Sequence, residues 1–251
     1  MNQVPNPTAV VIIIGNEILS GRTRDANLSY LGQRCDELGI RIQQARVIED
    51  DEQTIISTVN DSRATFDYVF TTGGIGPTHD DITSASVAKA FGVKLERNAE
   101  AVAVMDKYYP PGLLDEARLK MADIPEGAML INNPVSGAPG FQLGNVFVLP
   151  GVPSIMQAMF EGITDRLSGG RPVITRSIRT DVMEGTFAAD LTAIQQLFAD
   201  VSIGSYPLFR EDRPGVNLVM RSTEPERIKL TVAMVEEMIR KLHGKILNSA
   251  D

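Results

Sequence analysis

The residues with the clearest chemical potential lie in a glycine-rich stretch at positions 71–83, TTGGIGPTHDDIT. Its glycines let backbone amides approach a ligand closely, and the N-terminus of a following helix attracts anions. Asp80 and Asp81 would repel a bare phosphate, but they suit a divalent cation lying between carboxylate and phosphate. The stretch is neither a dinucleotide fingerprint, because His79 replaces a glycine, nor a P-loop. It predicts a phosphate site with a cation, unless either aspartate is only a helix N-cap.

Two further glycine loops have the composition of a ligand site. GNEILSG at positions 15–21 carries Glu17, which could hold a metal or a ligand hydroxyl, or be a solvated turn residue. LPGVPS at positions 149–154 precedes a predicted helix, and the amides of Gly151 and Ser154 there could bind an anion. Just upstream, NNPVSGAPGF at 132–141 is predicted as a non-helical loop, which turn chemistry alone would also explain.

The densest acidic run, Glu49-Asp50-Asp51-Glu52, stands at a strand-to-helix junction. Acidic side chains stabilise the N-terminus of a helix, and this interpretation is preferred for most of the run.

Alternating strand and helix patterns must position these loops. Apolar, β-branched runs predict strands at residues 9–14, 41–48, 67–72 and 146–149, with helical spacing between them. Such alternation indicates α/β architecture with a mainly parallel sheet. In open parallel sheets ligands bind beyond the carboxyl ends of the strands, so the three glycine loops are expected at one edge.

The pattern changes after Ser168-Gly169-Gly170-Arg171-Pro172, which predicts a linker. The chain beyond it predicts strands at 173–179, 201–206 and 216–221, a helix over 184–199 and a final helix near Pro225. We therefore expect two domains, residues 1–170 and residues 171–251, the second a small α+β unit with the order β-α-β-β-α.

Composition narrows the classes of function. The 251 residues include 24 Lys and Arg against 32 Asp and Glu, a net charge of −8 that argues against nucleic-acid binding. One cysteine, Cys35, excludes an internal disulfide, and no apolar run approaches the length of a membrane span. The sequence predicts a cytoplasmic protein that binds no membrane. Its acidic excess falls within residues 1–170, where a phosphate pocket would require a cation as intermediary.

The order GNEILSG, VIEDDE, TTGGIGPTHDDIT, NNPVSGAPGF and LPGVPS resembles the N-terminal part of the CinA (competence/damage-inducible protein A) family. That part is a molybdopterin-binding domain of the MoaB/MogA type, and the likeness covers about residues 8–167. It implies a three-layer αβα fold followed by a small KH-like domain, in a short form without the C-terminal amidase domain. Residues 171–251 lack the GxxG spacing of RNA-binding KH domains, so no RNA partner is expected.

The resemblance also assigns roles to particular positions. It implies catalytic roles for Asp81 and Asp50, and metal binding by Asp81, Asp80 and Glu17. Ile155 stands where the family usually has Glu, a departure that could weaken metal binding or alter the substrate. The ligand-binding positions that it implies are Gly15, Glu17, Thr72, Gly73, Gly74, Gly76, Pro77, Thr83, Pro139, Gly140, Pro150, Gly151 and Ser154.

Three functions follow as hypotheses from these residues and the resemblance. The first is a nucleotide pyrophosphatase that cleaves ADP-ribose or FAD with Mg²⁺, Mn²⁺ or Co²⁺, with K⁺ as a further candidate cofactor. The second is molybdopterin binding or its adenylylation from ATP, and the third is a module that binds AMP or a pterin without turnover. Family likeness further implies homo-oligomerisation.

Overall fold

The computed structural model describes residues 5–208 and 215–247. The chain divides into two compact units, residues 1–170 and residues 171–251. None of the described helices combines the length and apolar character needed to cross a bilayer.

The first unit is built on a six-stranded sheet with the order β2-β1-β3-β8-β7-β6. The first four of these strands are parallel, while β7 pairs antiparallel with both β8 and β6. A separate two-stranded ribbon joins β4 and β5. The mainly parallel α/β sheet expected from the sequence is confirmed. The strand bounds are Thr8–Ile14 (β1), Arg41–Ile48 (β2), Tyr68–Thr72 (β3), Leu95–Arg97 (β4), Asp123–Pro125 (β5), Met129–Ile131 (β6), Gly140–Leu143 (β7) and Val146–Leu149 (β8).

Helices cover both faces of this sheet. Alternate residues of β1 point to opposite sides, with Val10 and Ile12 in one apolar cluster and Val11 and Ile13 in the other. Both clusters are completed by helices, so burial on two faces explains the uninterrupted apolar run of this strand. The helix bounds are Asn16–Leu19 (α1), Asn27–Glu37 (α2), Glu52–Thr65 (α3), Thr83–Phe91 (α4), Ala99–Tyr108 (α5), Glu116–Leu119 (α6) and Pro153–Glu161 (α7).

One stretch near the third glycine loop differs from expectation. Residues 132–141 were expected to be a non-helical loop, but Gly140 and Phe141 begin β7. A Cβ at Gly140 would lie 2.3 Å from the carbonyl oxygen of Val148, so the glycine permits close packing of β7 on β8. Phe141 pairs with Val148 and is 1% exposed, which anchors the strand in the core. The loop prediction was wrong here because the glycine serves strand packing rather than a turn.

The second unit is an antiparallel sheet with the order β10-β11-β9-β12, packed with two helices. The expected order β-α-β-β-α is observed, with one short strand added after the last helix. Its likeness to KH domains stays a prediction. The bounds are Ile174–Thr180 (β9), Glu184–Leu197 (α8), Ser202–Leu208 (β10), Gly215–Ser222 (β11), Pro225–Lys241 (α9) and Ile246–Leu247 (β12).

The single cysteine offers a probe of the first unit. Cys35 lies on α2 with 0% exposure, and burial raises the pKa of its thiol to about 12, with Asp36 acting in the same direction. Because only the thiolate is reactive, we expect Ellman's reagent at pH 8 to modify the native protein at least about 100-fold more slowly than the urea-unfolded chain. Equal rates in the two states would contradict the packing of α2 against the sheet.

Candidate functional site

The carboxyl ends of β1, β3 and β8 open onto a cleft of about 600 Å³. The three glycine loops meet there because the strands that carry them are parallel neighbours. The hairpin loop between β6 and β7 reaches the same edge, since Ile131 pairs with Gly140 and β7 runs antiparallel to β8. The residues lining the cleft are Ile14, Gly15, Glu17, Thr23, Asp50, Gly73, Gly74, Ile75, Gly76, Pro77, Thr78, Asp80, Asp81, Met121, Asn133, Ser136, Ala138, Pro150, Gly151, Val152, Pro153 and Ile155.

The first two glycines after β3 are required by their backbone geometry. Gly73 has a φ of +103°, and a Cβ there would lie 2.1 Å from the carbonyl oxygen of Ile14. Gly74 has a φ of +67°, and its Cβ would lie 2.1 Å from Oγ1 of Thr83. Side chains are disfavoured at such φ values, and no space remains for them. The loop therefore lies directly against the end of β1, with its backbone at the floor of the cleft.

Thr83 stabilises this loop through two hydrogen bonds. It is fully buried as the first residue of α4, its hydroxyl donates to the carbonyl of Gly73 at 3.1 Å, and its amide donates to that of Gly74 at 3.0 Å. Thr83 is not among the residues that line the cleft. The geometry gives it a positioning role, and its expected direct contact with a ligand stays a prediction.

Replacing Thr83 tests this role. We expect Thr83→Val to lower the free energy of unfolding by about 1–3 kcal/mol, because the Gly73 carbonyl loses its side-chain donor. Thr83→Ser retains the hydroxyl and should recover most of that loss. Urea unfolding of both variants measures the difference, and equal destabilisation would assign the effect to packing rather than to the hydrogen bond.

Asp81 is fixed by the loop rather than by the helix. Its Oδ2 accepts from the amide of Thr78 at 2.8 Å and from the Thr78 hydroxyl at 2.5 Å. The N-cap of α4 is Ile82, which has no side-chain capping bond, so the alternative that Asp80 or Asp81 caps the helix is wrong. A Cβ on Gly76 would lie 2.6 Å from Oδ2 of Asp81, so the third glycine makes room for this carboxylate.

Asp80 stands next to it and also lines the cleft. The nearby Thr78 hydroxyl is the main influence that lowers the pKa of the Asp80 carboxyl, with a smaller contribution from Lys120. The ammonium of Lys120 donates to the carbonyl of Thr78, and this bond holds the lysine side chain beside the loop. His79 points away, with its side chain 97% exposed.

Asp50 and Glu17 bring two more carboxylates to the cleft from the other side of β1. Oδ2 of Asp50 accepts from the amide of Asn16 at 2.9 Å, which ties the short helix α1 to the end of β2. Glu17 is exposed on α1 and lies over Gly15, where a Cβ would be 2.5 Å from its Oε1.

Asp51 and Glu52, from the acidic run at positions 49–52, lie at the start of helix α3, as the sequence indicates. Oδ1 of Asp51 accepts from the amide of Thr54 at 2.9 Å as the N-cap of α3, and Glu52 lies in the first turn of that helix. Glu52 also forms an ion pair with Lys89 at 2.6 Å. The interpretation of this run as a helix start is confirmed for these two residues.

The structure brings together most of the predicted site residues. Pro77, Pro150 and Gly151 line the cleft, and Thr72 lines a smaller cleft beside it. Pro139, Gly140 and Ser154 lie outside both linings, so their ligand contacts stay predictions. Pro153 begins α7, as its sequence context indicates.

Several lining residues were not predicted from the sequence. Ile75, Met121 and Ile155 add apolar surface to a cleft otherwise described by its glycines and acids. Met121 comes from a turn of 3₁₀ helix after α6, far from any glycine motif, so no local pattern marks it. Ile75 and Ile155 lie within the recognised motifs, and their apolar character was the available signal.

The charge of the cleft favours a cation shared with a ligand. Among the described residues, four carboxylates line it without any Lys or Arg, namely those of Glu17, Asp50, Asp80 and Asp81. Among residues 5–208 and 215–247, however, no three His, Cys, Asp or Glu side chains converge to hold a metal by themselves. Mg²⁺ is commonly held by one or two carboxylates together with substrate phosphates. The donors present fit that arrangement rather than an all-protein metal cage.

Two family models match this chain, one in each unit. The family model "Probable molybdopterin binding domain" matches residues 10–169, and "FAD synthase, middle domain" matches residues 172–245. A "CinA-like protein" of Syntrophus aciditrophicus is 35% identical over 96% of this chain and 60% of its own length. A "Probable FAD synthase" of Caenorhabditis elegans is 31% identical over 92% of this chain. The chain spans only 50% of that relative's length.

A solved structure shows the same fold in the first unit. The protein CinA, of unknown function, from Thermoplasma acidophilum superimposes with a TM-score of 0.59 at 37% identity. The likeness covers 63% of this chain and 98% of that protein. It supports the fold around the cleft and leaves the chemistry to be argued from the residues themselves.

Proposed function

This chain belongs to the family of probable molybdopterin-binding domains, and from that premise we propose that its cleft binds a phosphorylated nucleotide or pterin and hydrolyses a nucleotide diphosphate. The observation that carries the proposal is the meeting of four carboxylates with a glycine-rich backbone at the carboxyl ends of parallel strands. The backbone suits phosphate oxygens, and the carboxylates suit the cation that would accompany them.

Part of the lining of the cleft is apolar, which fits a heterocycle. Ile75, Met121 and Ile155 contribute apolar side chains to the same lining as the acids. Small-molecule sites combine such apolar surface with a few polar groups that fix orientation. A ligand with a flat ring at one end and a diphosphate at the other matches both parts.

The residues of the chain supply binding, orientation and a proton acceptor. Asp81, with either Asp80 or Glu17 and the phosphates of the ligand, would hold a divalent cation, which when bound would polarise the diphosphate and acidify a water. Thr78 fixes Asp81 by donating two hydrogen bonds to Oδ2, and neither of them uses Oδ1. Backbone amides of the glycine loop stabilise the charge on the transferring phosphorus.

Asp50 is the proposed acceptor for the proton of the attacking water. Its Oδ2 accepts from the Asn16 amide, whereas Oδ1 accepts a hydrogen bond from none of the described residues. Water adds to one phosphorus, its proton passes to Asp50, and the bridging P–O bond breaks to release two phosphate monoesters.

Product analysis tests hydrolysis directly. The full chain is incubated with ADP-ribose or FAD in the presence of Mg²⁺, Mn²⁺ or Co²⁺, and AMP is followed by chromatography. AMP release that depends on both protein and metal supports the proposal. Binding of these compounds without AMP release under any metal overturns hydrolysis and leaves a binding module, for which Ile155 provides a reason.

Adenylyl transfer is the second candidate, favoured by the match of residues 172–245 to the middle domain of FAD synthase. The same cleavage chemistry would then deliver an adenylyl group from ATP to a phosphate acceptor instead of water. Incubation of ATP with FMN or molybdopterin distinguishes the two, because transfer yields an adenylylated acceptor together with pyrophosphate.

A further inference from the structure

A smaller cleft of about 80 Å³ lies beside the main one, between the start of α2 and the end of β3. Five residues line both clefts, so a single ligand could enter the two together. These shared residues are Ile14, Glu17, Thr23, Gly151 and Pro153. A water needs about 10–15 Å³ of such a cleft, so the smaller cleft has room for a substituent of a ligand whose main part lies in the larger one.

Asn27 presents an unused acceptor in this smaller cleft. The residue is 3% exposed, and its Nδ2 donates to the carbonyl oxygen of Gly151 at 2.8 Å. Because a carbonyl can only accept, this bond fixes which way the amide is turned. Oδ1 is consequently directed elsewhere, and it is buried without a hydrogen-bond partner in the described part of the chain.

Thr72 presents a second unused oxygen in the same cleft. It is the last residue of β3 and is 1% exposed, and its Oγ1 has no hydrogen-bond partner among the described residues. Buried polar groups are nearly always hydrogen-bonded, and those left without partners call for an explanation. Asn27 and Thr72 both line the smaller cleft, so a bound group with donor hydrogens would give partners to both oxygens.

We propose that this cleft, defined by Asn27 and Thr72, binds an amino group carried by the heterocycle of the ligand. The inference rests on the proposed function, because the heterocycle is that of the nucleotide or pterin in the main cleft. One amino hydrogen is donated to Oδ1 of Asn27 and the other to Oγ1 of Thr72. An oxo group in the same place would face the Oδ1 acceptor of Asn27, whose amide cannot turn without losing its bond to Gly151. The Thr72 hydroxyl can donate as well as accept, so the discrimination comes from Asn27.

The cleft therefore acts as a specificity site that selects amino-substituted rings over their oxo counterparts. Adenine and pterin each carry such an amino group, whereas hypoxanthine and lumazine carry oxygen at the corresponding position. Sites built to hydrogen-bond a substituent reject analogues that lack it, because the protein's buried polar groups are then left unpaired.

The chain contains a matched pair of variants for the test. Thr71 precedes Thr72, is also fully buried and also has an unpartnered Oγ1, but its side chain points to the opposite face of β3. It lines neither of the two clefts. Thr71→Val and Thr72→Val each remove a buried hydroxyl from the same strand with little change in shape. Neither loses a hydrogen bond within the described chain, so both should fold.

The experiment measures binding of AMP, IMP, pterin and lumazine to the full chain by calorimetry, with thermal unfolding as a check on folding. For wild type and Thr71→Val we expect the amino member of the bound pair to bind at least about tenfold more tightly than the oxo member. For Asn27→Ala the ratio should fall to within about threefold, whereas Thr72→Val, unlike Thr71→Val, should weaken binding of the amino member at least about fivefold.

The outcomes separate this inference from the proposed function. Binding with equal affinity for the members of a pair overturns the amino site while leaving the proposed function in place. Equal affinity together with a raised melting temperature in KCl or NH₄Cl would assign the cleft to a monovalent cation instead. Failure of all four compounds to bind, with or without Mg²⁺, overturns the amino site, whereas the proposed function is decided separately by AMP release from ADP-ribose or FAD.

Discussion

Asp81→Asn is expected to lower the rate of diphosphate cleavage at least about 100-fold while leaving the fold intact. The side-chain carbonyl of asparagine can still accept from the amide and the hydroxyl of Thr78, so the loop keeps its geometry. What disappears is the negative charge that would hold the cation in the cleft. The effect should therefore appear in kcat and in the metal concentration needed for half-maximal rate, with an unchanged melting temperature.

A control for net charge is available on the same unit. Asp106 lies exposed on α5 and is absent from the lining of the cleft. Asp106→Asn removes the same charge from the protein, and its rate should stay within about twofold of wild type. Equal activity of Asp81→Asn and Asp106→Asn would show that the Asp81 carboxylate takes no part in the mechanism.

Gly73→Ala should be the most destabilising single substitution in the glycine loop, costing more than about 3 kcal/mol. Two effects combine at this residue, a φ of +103° and a Cβ position 2.1 Å from the carbonyl oxygen of Ile14. Ile14 is the last residue of β1 and is paired with Ile48, so its backbone cannot move without breaking a central strand pair. The loop would have to leave the floor of the cleft, and ligand binding should be lost with it.

Gly92→Ala separates the two effects. Gly92 ends α4 with a φ of +68°, and a Cβ there would meet nothing within 4 Å. This variant carries the conformational cost alone, about 1–2 kcal/mol. Urea unfolding followed through Cys35 labelling reports the first unit in both variants. A similar loss of stability in the two would show that the contact with Ile14 is relieved at little cost.

Sequence patterns were most informative where burial is complete. Residues of β1 and β8 are apolar without interruption because helices cover both faces of the sheet, and both strands were predicted to within one residue. The strands β6 and β7 were missed since they are short and are separated by Asn, Pro and Gly residues typical of turns. Their pairing depends on long-range contact with β8, which no local pattern encodes.

In the candidate site, too, some features could be predicted from the sequence and others could not. Glycine content located the loops that meet at the cleft, because each of the three follows a predicted strand of a parallel sheet, where ligands bind. The contacts of each side chain could not be predicted from the sequence, because they depend on which atoms meet across the fold. Thr72 illustrates this, because only the structure shows that it lines the same small cleft as Asn27 and that its buried hydroxyl has no partner in the described part of the chain.

The connection between β3 and β8 has a consequence for the kinetics of folding. Val69 pairs with Val146, and Asn27 donates to Gly151, so segments far apart in the chain must meet before the cleft exists. Long-range parallel pairing of this kind forms slowly, because an extended loop must close first. A ligand that binds only the assembled cleft should slow the unfolding reaction and leave the refolding rate unchanged.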